Sequence, residues 1–196
     1  PIAWNTALLH PDKVRAVAGL SVPYTALGPA PFIEIAKQIY DNQFFYQIYF
    51  QNPGVAEFEL EADVLTSLRK IYYWISGESL RATPLRQKPA DAKLLDGLDD
   101  PIDLPPWISN KDLDYYVSQF TKSGFRGPLN RYRNQYRDFE FLSPYGDQKI
   151  RQPAAFIAGT LEPVLKFIPG VDLVANMRKQ LEDLRIVEML EGAGHW

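Results

Sequence analysis

The sequence predicts an α/β fold in which a parallel sheet is interrupted by a long all-helical insertion, and three observations lead there. Short, almost unbroken apolar runs stand near the two ends: Val14 to Val22 before Pro23, Ala154 to Ala158 before Gly159, and Arg185 to Leu190. Runs of this kind mark strands covered on both faces of a parallel sheet. Between about Tyr24 and Tyr145 that signal gives way to apolar residues at helical spacing. Finally, Val171, Val174, Met177 and Leu181 form a helix face between the last two runs, which makes a strand, helix, strand crossover. The expected division is sheet core over 1–23, helical insertion over 24–145 and sheet core again over 146–196.

Taken in order, Pro1 to Leu9 reads as a buried helix that His10-Pro11-Asp12 stops, because proline cannot continue a helix. The chain opens without methionine and inside an element, as a piece of a longer protein would. In the insertion, Ile33, Ile35-Ala36 and Ile39-Tyr40 predict a short helix. Phe58 to Ile75 predicts a longer helix or a broken pair, with Val64-Leu65, Leu68 and Ile71-Tyr72 on a face expected to pack against the sheet. Five prolines between Thr83 and Pro106, with Asp96-Gly97 and Asp99-Asp100-Pro101, predict an irregular loop over the insertion's surface. Ser109 can cap a helix whose face holds Leu113, Tyr116-Val117 and Phe120 and which Gly124, in a left-handed conformation, would end. Pro128 suits the first turn of the next helix, where Leu129, Tyr132 and Tyr136 fall on one face.

Composition narrows the function classes. A formal charge of -3 with scattered signs provides no basic stripe for nucleic acid or an anionic membrane surface. The chain has no cysteine, and its two histidines lie far apart, so neither a disulfide framework nor a metal site is expected. No apolar run is long enough to span a bilayer. Arg126, Arg131, Arg133 and Arg137 read as the solvated face of their helix, balanced by Asp138 and Glu140.

Two polar residues follow the carboxyl ends of the predicted strands, where open α/β sheets bind ligands. Glu162 comes after the second strand and His195 after the third, in the flexible stretch Gly192-Ala193-Gly194. A carboxylate that accepts the Nδ1 hydrogen of an imidazole leaves Nε2 as a base, so Glu162 can orient His195. Taken singly, each also reads as a surface loop residue.

Four stretches in chain order carry a resemblance. Phe45-Tyr46-Gln47-Ile48-Tyr49-Phe50-Gln51-Asn52-Pro53-Gly54-Val55-Ala56-Glu57 and Gly124-Phe125-Arg126-Gly127-Pro128-Leu129-Asn130-Arg131-Tyr132-Arg133-Asn134 resemble the two lid-tyrosine segments of soluble epoxide hydrolases of the α/β-hydrolase superfamily. Ala158-Gly159-Thr160-Leu161-Glu162-Pro163-Val164 resembles that family's acid loop, and Gly192-Ala193-Gly194-His195-Trp196 its histidine loop. The resemblance implies the carboxyl-terminal part of an α/β-hydrolase sheet with an inserted helical lid. The opening helix and strand would directly follow a nucleophile turn that lies outside the chain, and the nucleophile would be an Asp.

The implied reaction turns an epoxide into a vicinal diol through a covalent ester. Tyr46 and Tyr132 would be the lid phenols that hold the epoxide oxygen, and His195 with Glu162 would activate the hydrolytic water. The family usually has Asp where Glu162 stands, which leaves Asp172 as the nearest substitute acid. Tyr49 aligns less well with the functional position, and Phe44, Phe45, Phe50 and Tyr136 read as lid core. The implied partners are a small apolar epoxide and water, with no cofactor, metal, nucleic acid or membrane and with a cytoplasmic setting. The chain alone would hydrolyse no epoxide. The rival readings are haloalkane dehalogenase, which needs halide-holding Trp or Asn instead of two phenols, or another α/β-hydrolase, and an inactive fragment or non-enzymatic relative.

Overall fold

The computed structural model describes residues 1–83 and 85–196; Pro84, one of the five loop prolines, lies outside the described residues. The chain forms two compact units, Pro1–Pro29 with Phe139–Trp196, and Ala30–Asp138, so the boundaries fall at 29/30 and 138/139 where the sequence suggests 23/24 and 145/146.

The first unit opens with helix α1 (Ile2–Leu9), ended as expected at His10, and strand β1 (Val17–Leu20). The second unit is all-helical: α2 (Phe32–Ile39), α3 (Tyr46–Tyr49), α4 (Val55–Ala62), α5 (Val64–Trp74), α6 (Gly77–Ala82), α7 (Asn110–Ser123), α8 (Arg126–Arg133) and α9 (Gln135–Leu142), whose last residues already belong to the first unit. The chain then returns to the sheet with β2 (Ala154–Gly159), α10 (Leu173–Gln180) and β3 (Leu184–Leu190). None of the described helices is long and apolar enough to cross a membrane.

The three strands are parallel in the order β1-β2-β3, with Val17 beside Ala154 and Gly159 beside Leu190. Val17, Ala154, Phe156 and Ala158 point to one face, where Trp4, Ala7 and Leu8 of α1 and Met177 of α10 close over them. Trp4 is fastened there by its indole N–H, which donates to the Val22 carbonyl at 3.0 Å. The opposite face carries Leu20, 68% exposed, and Ile186, 54% exposed, so within this chain one face of the sheet is covered and the other is open. The apolar runs form the strands as expected, and α1 and α10 both pack on the covered side.

In the helical unit the predicted broken pair is α4 and α5, split at Asp63, which ends one helix and whose carboxylate accepts the Thr66 N–H at the start of the next. The face of α5 does not turn to the sheet as expected: Leu68, Val64, Ile71 and Tyr72 join Leu113, Phe125 and Leu129 in a core belonging to the helical unit itself. Short helices cannot hold themselves individually, so this unit needs its own cluster. The proline-rich loop contributes to it by burying Leu94. Lys88 binds the carbonyls of Lys93, Leu94 and Asp96, and its ammonium sits 4.4 Å from the centre of the Phe44 ring.

Ser109 caps α7 as expected, in a capping box with Asp112. Gly124 ends it, but with φ +65° and ψ 179°, a region open essentially to glycine alone and different from the left-handed cap expected. A Cβ there would also meet Glu61 Oε1 at 2.8 Å, the carboxylate that accepts the Phe125 N–H. Tyr136 departs from the expected face because the helix breaks at Asn134, which places it in α9, exposed and hydrogen-bonded to Glu34.

Arg133 also departs from expectation. It is not solvated but paired with Glu57 at 2.6 Å, each side chain 12% exposed. The Arg133 guanidinium, with help from the Gly54 N–H, holds the Glu57 carboxyl at about 2, below the ordinary 4.5. Because the folded pKa is depressed, the stability this pair contributes is present above about pH 4.5 and lost as pH falls toward 2. Thermal unfolding followed across that window should therefore show a Tm that falls with acid in the wild-type protein and falls less steeply in Glu57→Gln.

Candidate active site

The parallel register brings the turns after β2 and β3 out at the same edge, and backbone bonds lace them together. Thr160 N–H donates to Leu190 O at 3.0 Å, Leu161 N–H to Ala193 O at 3.0 Å, and Gly192 N–H to Thr160 Oγ1 at 2.9 Å. The close approach is possible because residue 159 is glycine, for a Cβ there would stand 2.0 Å from the Ala193 carbonyl oxygen.

Glu162 and His195 leave these two turns facing each other. Glu162 precedes a 3₁₀ turn (Pro163–Lys166), and its Oε1 accepts the Val164 N–H at 2.9 Å, which bends the side chain back on itself. Oε2 is then left to meet His195 Nδ1 at 2.8 Å. The Glu162 side chain is fully buried and the imidazole is 24% exposed. A buried carboxylate can only accept, so Nδ1 carries the hydrogen and Nε2 keeps its lone pair. The methylene that Glu has beyond Asp is taken up by the curl over Pro163. Asp172 is committed elsewhere, its Oδ1 capping α10 through the Ala175 N–H at 2.8 Å. A third tie escapes sequence reading: Ser21, at the end of β1 with φ +60°, donates its hydroxyl to the His195 carbonyl at 3.2 Å. No spacing signals that contact, because the partners are 174 residues apart.

In the helical unit the structure brings Tyr46 and Tyr132 together. Tyr46 starts α3, Tyr132 lies in the last turn of α8, and their rings meet nearly edge to face with centroids 5.6 Å apart and planes at 82°. Phe50 fills the corner, 5.5 Å from Tyr46 and 5.2 Å from Tyr132. Gln47 donates from Nε2 to the Tyr46 hydroxyl at 2.8 Å, and its own Oε1 accepts from Gln135 at 2.8 Å. Burial pushes the Tyr132 phenol above its usual value, so it stays protonated at neutral pH. Tyr49 is occupied otherwise: its hydroxyl donates to Glu59 at 2.7 Å, and burial followed by that carboxylate raises its pKa. Phe44, Phe45 and Phe50 are buried as lid core. Among the described residues no group of three or more His, Asp or Glu comes together as a metal site would require.

The two halves thus hold a histidine oriented by a carboxylate at strand carboxyl ends, and a pair of phenols on short helices. A parallel α/β unit arranged in this way, interrupted by a helical insertion, is the architecture of an α/β-hydrolase with a cap. No family model matches the sequence. Epoxide hydrolase A of Mycobacterium tuberculosis is 35% identical over 199 residues, a match that takes in all of this chain and 60% of the relative. Bifunctional epoxide hydrolase 2 of Mus musculus is 34% identical over 196 residues, again with the whole chain matched but only 34% of the relative. Among solved structures, an epoxide hydrolase from an endophytic Streptomyces superposes with a TM-score of 0.92 at 39% identity, covering 100% of this chain and 59% of that one. Epoxide hydrolase A of Mycobacterium thermoresistibile gives 0.88 at 36%, covering 100% and 60%. The chain belongs to the epoxide hydrolase family of the α/β-hydrolases and spans about 60% of the length of the mycobacterial relative.

Because Gly159 admits the histidine turn, Gly159→Ala should force Ala193 away and cost about 1 to 3 kcal/mol of stability. Urea unfolding of the variant beside the wild-type protein measures this.

Proposed function

We propose that the protein to which this chain belongs hydrolyses epoxides to vicinal diols in two half-reactions. The observation that carries this reading is the Tyr46–Tyr132 pair, two phenols held edge to face at 5.6 Å. In the first half an Asp carboxylate outside this chain attacks an epoxide carbon. The carbon–oxygen bond breaks, and the ring oxygen, stabilised by both phenol hydrogens, takes up a proton. In the second half His195 Nε2 takes a proton from water, and the hydroxide adds to the ester carbonyl carbon. The carboxylate re-forms as the diol leaves, and the proton returns from the imidazolium. Glu162 holds the ring and balances the charge that forms on it.

The expected substrate is a small apolar epoxide, and water is the second reactant. A haloalkane dehalogenase would need halide-binding Trp or Asn side chains at the lid, where this chain has Tyr46 and Tyr132. The epoxide hydrolases among the relatives favour the same choice.

In the whole protein, Tyr46→Phe or Tyr132→Phe alone should slow epoxide opening while the double change nearly abolishes it, since one donor partly covers for two. Full activity in the double variant would remove the basis of the reading.

His195→Gln separates the half-reactions. The carboxylate nucleophile is ionised without help, so attack should proceed and then stop at the ester. Intact-protein mass spectrometry after mixing with an epoxide should show about one equivalent of substrate added. A serine esterase on the same scaffold would behave oppositely, because its histidine must activate the serine before any adduct forms. A folded His195→Gln protein that never gains mass rules out the two-step ester route or the role of His195 as base.

A further inference from the structure

We propose that Arg133 is a positioning residue for epoxide opening: bound to Glu57, its guanidinium fixes the turn that carries Tyr46 against the helix that carries Tyr132. The proposal rests on the reading of those tyrosines as the oxygen-holding phenols.

Tyr46 lies on α3, a single turn of four residues. One turn does not sustain itself in water, and its terminal carbonyls have no partners within the helix. What lies beyond Phe50 must therefore hold it. Arg133 Nε donates to the Phe50 carbonyl at 2.7 Å, and one terminal nitrogen reaches the Asn52 carbonyl at 3.4 Å. The two terminal nitrogens also grip the two oxygens of Glu57 at 2.6 and 2.9 Å, and the Asn130 side chain accepts at 3.1 Å. Glu57 in turn accepts the Gly54 N–H at 2.9 Å, closing the loop between α3 and α4.

A guanidinium has five N–H donors, and these five acceptors match them in number. Arg133 has no donor left for a substrate anion and touches no reacting atom. It acts through its neighbours: Tyr132 precedes it on α8, and Phe50, whose carbonyl it holds, packs on both phenol rings. Gln51 adds a parallel tie, donating to the carbonyls of Gln47 at 2.8 Å and Tyr132 at 3.0 Å. Lysine keeps the charge but not the fork, and cannot reproduce this set.

The test uses the whole protein with phenyloxirane as probe, measuring ester formation and ester hydrolysis separately by rapid quenching and intact-protein mass spectrometry. Arg133→Lys should form the ester about ten- to a hundredfold more slowly, as a displacement near 1 Å does, and hydrolyse it at the wild-type rate. Combined with Tyr132→Phe, the loss should be smaller than the product of the two single losses, because both changes damage one geometry. Glu57→Gln should give the same split, and it tests the proposal if an Arg133 variant does not fold. A purely structural ion pair predicts otherwise, with both half-reactions slowed alike or neither, and full multiplicativity with Tyr132→Phe; any of these overturns the proposal. If Tyr46→Phe and Tyr132→Phe themselves form the ester at the wild-type rate, the phenol reading has failed first. If they are slow while Arg133→Lys is normal, the positioning role alone falls.

Discussion

The parallel pairing of β2 with β3, Gly159 beside Leu190, is the constraint on which the meeting of Glu162 with His195 depends. Parallel strands send their carboxyl ends to one edge, so two turns distant in sequence emerge side by side. A slip by one residue would reverse the facing of every β3 side chain and move the histidine turn along the edge. The backbone bonds from Thr160 and Leu161 to Leu190 and Ala193 resist such a slip. Gly159 permits them by leaving room for the Ala193 carbonyl. The register thus fixes both the fold of the first unit and the 2.8 Å contact between Glu162 and His195.

Glutamate in place of aspartate shows how local structure absorbs a change of side-chain length. The longer side chain does not overshoot, because one of its oxygens returns to the Val164 N–H and spends the extra reach on its own turn. Two donors then serve a carboxylate without solvent, which a buried charge requires. Asp172 has a free-looking position in the sequence, yet its carboxylate is needed to start α10. Capping roles of this kind are readable in principle, since Asp172 stands three residues before Ala175. What the sequence does not encode locally is the direction in which a loop carboxylate turns.

The same distinction separates what was legible elsewhere. Strand and helix positions followed from period and punctuation: α1 stops at His10, Ser109 caps α7, and the apolar runs become β1, β2 and β3. Expectations fail where a local rule is extended past its range. The face expected for Tyr136 counts through Asn134, where the helix breaks. Gly124 takes positive φ as expected, but its ψ follows the Glu61 carboxylate and the next helix. Stretches resembling a family single out Glu162 and His195 in one unit and Tyr46 and Tyr132 in the other, and the structure adds the contact within each pair. Ser21, Gln47 and the Arg133–Glu57 pair were not found, since long-range hydrogen bonds leave no periodic trace.

The Arg133–Glu57 pair is a poor device for stability alone. Removing two charges from water costs several kcal/mol per ion, and apolar residues of similar volume often serve a core as well or better. The helical unit already has an apolar cluster of Phe44, Phe50, Leu60, Leu68, Leu113, Phe125 and Leu129. What apolar side chains cannot do is hold a one-turn helix at a defined angle, because dispersion contacts are nondirectional and α3 is too short to define its own axis. A guanidinium with every donor matched to an acceptor has one geometry, and that geometry names Phe50, Asn52, Glu57 and Asn130 individually. For the two phenols that we propose to act on one oxygen, a directional clamp beside them accomplishes what a larger core would not.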